Sequence, residues 1–512
     1  MNMSRTPLMG RLRMLARIAA ESQRSGVPAA ELLDMPRRRF MQAAAGGLAL
    51  TTLAAGCANT QLKSSGKPGQ RVAIIGAGIA GLHCAHLLKK GGIDADVYEA
   101  ADRVGGRMFT KRDLLNPGQT VELGGSFIDS THADMLSLCN EFELDLLDMR
   151  DDASVKQCTY FFGDRHYTDR EVLEWLKPHV ERMAMDSAVL DAESDERFGV
   201  LDRTSIRDYL TAIGAETSLR KLLEVAFVTE YGLDADEQSA LNMLCLIGLD
   251  SLPDRWETFG ESDERYKVKG GNQQVTDRLA LGLEDRIQTA RKLEAIAADG
   301  SAYELTFSGG RHVTADYVVL ALPFTLLREV DIRVELPKEK RIAIDELGYG
   351  TNAKLLLGMS SRPWREQSYG GNIFTDQDFQ LAWDNSRLQP GMSGGITLYS
   401  GGKPGVAVGE NTPREQIARL MPGLEKAYPG SKWAYSGRHF RMHWPSHAFT
   451  KASYACYRPG QWSSIAGHEI EPVGNLLFAG EHCSSDFQGY MNGGAETGRV
   501  AAESILAAVK KG

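Results

Sequence analysis

At 512 residues the chain exceeds one ordinary hydrophobic core, and its length fits about two to four domains. Hydrophobic residues at 43% and charged residues at 24% exclude a disordered or fibrous chain. A formal net charge of −9 argues against nucleic acid as a partner, because phosphate binding needs clustered Lys and Arg; it mildly favours cationic ligands.

The first 57 residues carry eight Arg and no Lys, against three acids, Glu21, Glu31 and Asp34. Within them MPRRRFMQ sets Arg37 and Arg38 before Phe40 and Met41, and the apolar run AAAGGLALTTLAAGCA follows. Paired Arg, a nearby aromatic and a short Ala/Gly-rich stretch predict a twin-arginine export signal over residues 1–57. The expectation is a periplasmic protein carried out folded by the twin-arginine translocase, which suits a chain that must load a tightly held cofactor first. The run from Ala43 to Ala58 is too short to span a bilayer, and no later segment approaches ~20 apolar residues. LAAGC resembles a lipobox, with Ala54 where a larger aliphatic residue is usual, so a lipid anchor at Cys57 stays open as the one membrane contact. Upstream, RLRMLARIAAESQ has the pattern of an amphipathic helix. The seven Cys form no CxxC pair, and Pro445 breaks any helix that would align His443 with His447, so neither a disulfide framework nor a metal site is expected.

From Arg71 the chain reads strand, Gly-rich turn, helix, strand. MLSLCNEFELDLLDM, EVLEWLKPHVERMAM and SLRKLLEVAFV carry apolar residues at helical spacing, so 135–265 is expected to be mainly helical. KLEAIAA, YELTFSGG and HVTADYVVLALP read as strands, and strands alternate with Gly-rich turns from Leu347 to Pro445. The tail from Asn475 is again strand, turn and helix. The predicted class is mixed α/β. A Rossmann-like dinucleotide domain is assembled from 70–134, 266–330 and 446–510; a second domain, for substrate, combines 135–265 with 331–445 and a mixed sheet.

RVAII is a β-branched run suited to a buried parallel strand. Gly76, Gly78 and Gly81 then give G-x-G-x-x-G at a helix entry: the tight turn, the close approach of backbone to a diphosphate, and close helix–strand packing. The helix N-terminus offers free N–H groups to the anion. A second strand, ADVYEA, ends in Glu99, where a carboxylate can accept both ribose hydroxyls. With 53 glycines in the chain, such a spacing arises by chance in about half of comparable sequences, so the strand, helix and acid around it carry the weight.

Beyond Glu99, EAADRVGGRMFT and VELGGSFID resemble the flavin amine oxidase family, which includes monoamine, polyamine and L-amino-acid oxidases. The tail LLFAGEHCSSDFQGYMNGGAETGRVAA is similar to that family's closing motif, and the resemblance runs in patches over about 71–508. It implies FAD as cofactor, with Arg107 near the diphosphate and Gly124, Gly125 and Ser126 beside the flavin ring. Glu481 would bind the ribityl chain, and the helix opening at Met491 would point at the pyrimidine carbonyl, where its dipole stabilises negative charge. Ile79, Ala80, Ala100, Phe127, Leu293 and Gly489 complete the expected cofactor contacts. Ala101 stands where the family often has Arg, so one contact is expected to be missing.

The resemblance further implies amine oxidation: hydride passes from the α-carbon of a deprotonated amine to flavin N5, the imine is released and hydrolysed, and O2 reoxidises the flavin to give H2O2. Such chemistry needs a dry, aromatic-walled slot. Tyr490 matches one of the family's two facing aromatics; Tyr454 in KASYACYRPGQW matches the second, with Tyr457 as the alternative. Ser453 stands where covalent members carry Cys, so FAD is expected to be non-covalent, although Cys456 is close by. LGYGTNAKLLLGMSSRPW resembles the segment bearing the active-site Lys, making Lys354 the catalytic candidate, ten residues before Trp364. In L-amino-acid oxidases of the snake-venom type, the loop matching LGGSF bears an Arg that grips the substrate carboxylate. Phe127 stands there, so an amine ranks ahead of an amino acid as substrate, unless another residue such as Arg458 folds in. A dehydrogenase using another acceptor, or a non-catalytic FAD-binding protein, is the alternative of a different class. A homodimer remains open.

Overall fold

A computed structural model describes residues 70–511 apart from 153–155, 192–195 and 248–261. The expected export signal, Cys57 and the upstream amphipathic helix lie outside the described residues.

The layer expected to hold the dinucleotide forms around β1 (Val72–Ile75), whose four apolar residues leave no polar face, so both sides are covered and all four are buried. The turn leads into α1 (Ile79–Lys90), which returns the chain to β2 (Ala95–Tyr98). β1 pairs in parallel with β2 on one side and with β3 (Tyr317–Leu320) on the other, Val72 standing beside both Ala95 and Tyr317. β4 (Leu476–Phe478) extends the sheet beyond β3, and Ile287–Gln288 extends it beyond β2. Four separated stretches of sequence thus build one five-stranded parallel sheet. Across α1 lies α2 (Met491–Lys511). A Cβ at Gly498 would overlap the Ala80 carbonyl and one at Gly494 would press on Ile79, so these glycines set how closely the two helices cross. Leu82, Leu88, Val97, Ala502 and Ile505 fill the core beneath them.

A four-stranded sheet runs in the order Arg311–Ala315, Ala302–Phe307, Leu293–Asp299, Asp331–Arg333. A seven-stranded sheet runs Tyr435–His443, Ala353–Met359, Gly394–Ser400, Leu381–Asp384, Tyr369–Thr375, Lys156–Phe162, Arg165–Tyr167. The longest helix of the insertion, Thr217–Tyr231, buries Leu219, Leu222, Leu223, Ala226 and Phe227 and stops at Gly232 in the left-handed region, φ 82°.

Two boundaries and one element type expected from the sequence shift. The helix Ala133–Glu141 buries Met135, Leu138 and Cys139 in the dinucleotide core, so the start of 135–265 packs there. The strands within 156–167 leave the helical insertion to join the seven-stranded sheet. Asp331–Arg333 pairs with Leu293–Asp299, carrying the four-stranded sheet past residue 330. Local periodicity reports the type of an element, not the core that receives its apolar face.

Two glycines of the first turn separate fold from ligand. A Cβ at Gly81 would collide with the Gly76 carbonyl oxygen, whereas one at Gly78 meets nothing within 4 Å. Gly81→Ala is expected to lower stability by about 1–3 kcal/mol, read as a fall in Tm. Gly78→Ala is expected to leave Tm unchanged and to weaken retention of the expected FAD, read from visible absorbance of the purified protein.

Candidate active site

One cavity of about 710 Å³ runs from the first turn to the seven-stranded sheet. At its outer end Gly76 takes φ 107°, a conformation closed to a side chain here because a Cβ would also lie 2.6 Å from the Ala321 oxygen. Gly78, Ile79 and Ala80 bring the N-terminus of α1 to the wall, with no side chain capping it and no acid in its first turn. Positive helix ends of this kind favour anions. Glu99 stands alongside, its two oxygens accepting the N–H groups of Ala77 and Ala101, each at 2.8 Å. Burial pushes the Glu99 carboxyl up, and those backbone donors oppose the shift. Ala100 lines the same end. So does Arg103, a cation the sequence reading overlooked, whose guanidinium lies 3.9 Å from the Phe109 ring centroid and donates to the Gly106 carbonyl at 2.6 Å.

Midway, Arg107 donates through Nη1 to Glu481 at 2.7 Å and to the Ser453 carbonyl at 2.7 Å. Glu481 accepts in turn from the Gly489 N–H at 2.8 Å and the Ala455 N–H at 3.3 Å. These bonds gather three segments far apart in sequence. Gly124, Gly125, Ser126 and Phe127 form the facing wall, and a Cβ at Gly125 would strike Met491, the first residue of α2.

At the inner end Lys354 sits on Ala353–Met359, the strand whose seven residues are all buried. Its Nζ donates to the Gly124 carbonyl at 2.5 Å, to Ser126 Oγ at 2.9 Å and to the Glu122 carbonyl at 3.3 Å. Burial lowers its pKa to about 7, with the Glu122 carboxylate holding it back from falling further. Trp383 and Tyr399 stand over this amine, with ring centroids 5.3 and 5.9 Å from Nζ. Trp383 meets Phe127 and Tyr399 edge-on.

Tyr454 and Tyr490 both line the cavity. Tyr454 donates its hydroxyl to the Thr229 carbonyl at 3.1 Å and shares a 2.7 Å bond with the Tyr399 hydroxyl. Tyr490 donates to Glu230 Oε1 at 2.8 Å. Burial raises both phenols well above their ordinary range, so they remain neutral.

Of the residues expected at the site, two lie elsewhere. Leu293 is buried in the core of the four-stranded sheet, because its strand pairs there rather than edging the cavity. Gly81 lies beneath the turn, where its role is packing. Tyr457, the alternative to Tyr454, donates to Glu469 in a core and does not line the cavity. Cys456 is buried beside Asn242, and burial raises its thiol out of the reactive range. Trp364 bonds Asp384 at 2.9 Å behind the sheet. Arg458 pairs with Glu237 at 3.0 Å and is absent from the cavity wall.

The sequence reading missed Asp129, Glu230, Glu264, Trp383, Tyr399 and Arg387, all of which line the cavity. Burial raises Glu230 to about 7 and Glu264 to about 8. Glu264 lines the cavity, and after burial the Asp129 and Glu230 carboxylates push its own carboxyl up. It takes φ 43°, held by its N–H to Asp129 at 3.0 Å. The acid closing the apolar helix LLEVAFVTEYG was the available signal for Glu230.

The model of the flavin-containing amine oxidoreductases matches residues 79–506. The flavin-containing amine oxidase B of Sus scrofa is 24% identical over 456 residues, covering 86% of each chain. The flavin-containing amine oxidase of Danio rerio is 25% identical over 463 residues, again covering 86% of each. Cyclohexylamine oxidase from Brevibacterium oxydans IH-35A superposes with a TM-score of 0.77 at 24% identity, over 86% of this chain and 100% of that one. Wild-type putrescine oxidase bound to putrescine gives 0.74 at 23% identity, over 86% and 99%. The mixed α/β architecture, a parallel sheet joined to a mixed substrate-domain sheet, is the fold these structures share. With a match spanning most of its length, the chain belongs to the flavin-containing amine oxidoreductase family.

Proposed function

We propose that the protein is an FAD-dependent amine oxidase that converts an amine to its imine, with O2 as the electron acceptor and H2O2 as product. The observation that carries this reading is the inner end of the cavity, where Lys354, buried against Gly124 and Ser126, shares one chamber with Tyr454 and Tyr490.

The residues fit FAD. The open space at Gly78, the uncapped N-terminus of α1 and the Glu99 carboxylate suit the adenosine diphosphate half, and Arg107, Gly124, Gly125, Glu481, Gly489 and Met491 line the continuation toward Lys354. When bound, the flavin supplies a two-electron acceptor for the C–H bond beside the substrate nitrogen. Ser453 before Tyr454, with Cys456 buried away from the cavity, supports non-covalent attachment. Tyr454, Tyr490, Tyr399 and Trp383 wall the substrate end in aromatic surface, excluding water and fixing the amine's approach. Lys354 Nζ, near neutrality in its proton affinity, can hold an ordered water and exchange a proton there.

An amine is favoured over an amino acid. Phe127 occupies the loop where a carboxylate-gripping Arg would stand, and the guanidiniums at the substrate end are each held by a carboxylate: Arg387 by Asp152, Arg150 by Asp263 and Arg265 by Asp148. We further propose, on the sequence alone, that the chain is exported by the twin-arginine route.

A peroxide-coupled screen of the purified yellow protein against monoamines, polyamines and L-amino acids should give turnover with amines, and acid precipitation should release the flavin. Turnover of α-amino acids alone overturns the substrate ranking, flavin reduction without peroxide points to a dehydrogenase, and absence of flavin defeats the reading. Lys354→Met is expected to slow reoxidation of reduced flavin by O2 roughly 100-fold in stopped flow while substrate binding changes far less; an unchanged oxidative half-reaction removes Lys354 from the mechanism. Replacing Arg37 and Arg38 by Lys is expected to leave the protein in the cytoplasmic fraction, and undiminished periplasmic protein would exclude that route.

A further inference from the structure

Resting on the reading of this cavity as an amine-oxidising site, we propose that Glu230 receives the substrate ammonium beside the two tyrosines and takes its proton, delivering the free amine for oxidation.

The chemistry demands such a group. An alkyl amine in water near pH 7 is almost wholly ammonium, with roughly one molecule in a thousand free, by analogy with the Lys side chain. Only the free amine has the lone pair that assists loss of the α-hydrogen, yet a bare ammonium enters an aromatic chamber at a steep desolvation cost. A carboxylate in the wall meets both needs. It pairs with the cation on arrival and then accepts its proton, so that R–NH3⁺ and Glu230–COO⁻ become R–NH2 and Glu230–COOH. One N–H bond breaks, one O–H bond forms and no electrons are transferred. The proton leaves Glu230 to solvent before the next turnover.

The geometry places Glu230 where this exchange would occur. It lies in the last turn of the helix Thr217–Tyr231, whose C-terminal end carries partial negative charge and favours a cation. Consecutive residues of that turn hold both tyrosines: Thr229 through its carbonyl to Tyr454 at 3.1 Å, Glu230 through Oε1 to Tyr490 at 2.8 Å. The second Glu230 oxygen has no partner among the described residues, and the side chain lines the cavity. The neighbouring acid Asp129 is already engaged, accepting from Ser262 Oγ at 2.7 Å and from the Glu264 N–H at 3.0 Å. Aromatic rings beside the site add attraction for a cation.

The groups facing Glu230 are Tyr490, Asp129 and Glu264 across the cavity, Tyr454 and Tyr399 from the walls, and Tyr231 and Cys245 from its own helix and the next. Burial holds the four tyrosines neutral and raises Cys245 to about 11, leaving Asp129, at about 6, and Glu264, at about 8, as the neighbours that titrate near neutrality. Burial sets Glu230 at about 7, poised both to take and to release a proton.

The test compares flavin-loaded wild type, Glu230→Gln and Glu230→Asp. The rate of flavin reduction by n-hexylamine at sub-saturating concentration is followed from pH 6 to 10, and the affinity for tert-butylammonium is read as a shift of the flavin spectrum. That probe has no hydrogen on the carbon beside nitrogen and cannot be oxidised. In wild type the rate should rise through pH 7 and then level. In Glu230→Gln it should instead track the free-amine fraction, about tenfold per pH unit, and lie roughly 100-fold below wild type at pH 7. Glu230→Asp should restore the wild-type shape, and tert-butylammonium should bind Glu230→Gln roughly tenfold or more weakly. A Glu230→Gln profile parallel to wild type, with unchanged tert-butylammonium affinity, shows that Glu230 only anchors Tyr490 and overturns the inference alone. A wild-type flavin reduced by no amine overturns the oxidase reading as well. Should Glu230→Gln lose its flavin, a Glu230→Asp profile that tracks the free-amine fraction, about tenfold per pH unit, decides against the proposal.

Discussion

The active end of this molecule hangs from one ion pair. Arg107 meets Glu481 at 2.7 Å, and the same guanidinium nitrogen reaches the carbonyl of Ser453, the residue before Tyr454. Glu481 holds the N–H of Gly489, the residue before Tyr490, and that of Ala455, the residue after Tyr454. Both tyrosines therefore take their backbone positions from a single pair of charges, one of which, Glu481, is only 7% exposed in its side chain. Pairs of this sort contribute little net stability, because desolvation offsets attraction, but they tolerate few alternative geometries. Their value here is positional.

The tyrosine hydroxyls are tied at the opposite side, to Thr229 and Glu230. Each ring is thus held at root and tip by different parts of the fold: the root by the dinucleotide layer, the tip by the helical insertion. Lys354 adds a third anchor from the seven-stranded sheet, bridging to the Gly124–Ser126 loop. The chamber is where three layers meet, and each contributes groups the others lack: an uncapped helix N-terminus, the Glu230 carboxylate and a buried amine.

Much of this was legible in the sequence, unevenly. Gly76, Gly78 and Gly81 announced themselves because backbone demands leave few residue choices. Lys354 came from the resemblance carried by LGYGTNAKLLLGMSSRPW, and the apolar run Leu355–Leu357 beside it marks a buried strand. The sequence ranked Tyr454 ahead of Tyr457, its neighbour in the same irregular segment; their hydroxyl partners separate them. Glu230 was hidden. An acid in the last turn of an amphipathic helix is what a solvent face predicts, and only the packing of that helix against the seven-stranded sheet turns the face inward. Trp383 and Tyr399 look like ordinary strand aromatics, and Leu293 lies away from the cavity because its strand pairs in the four-stranded sheet. The misplaced boundaries at 133–141 and 331–333 share this origin: which core an element joins is decided by partners hundreds of residues away.

The parallel sheet has a consequence for how the molecule is made. β1, β2 and the first glycine turn emerge early in synthesis, but β4 and α2, which cover β3 and the flank of α1, emerge more than 370 residues later. Until then the outer edge of β3 has no neighbour and the cradle has no lid, since Glu481, Gly489 and Met491 are still to come. The cavity wall is therefore completed late in synthesis, by contacts between the most distant parts of the described chain.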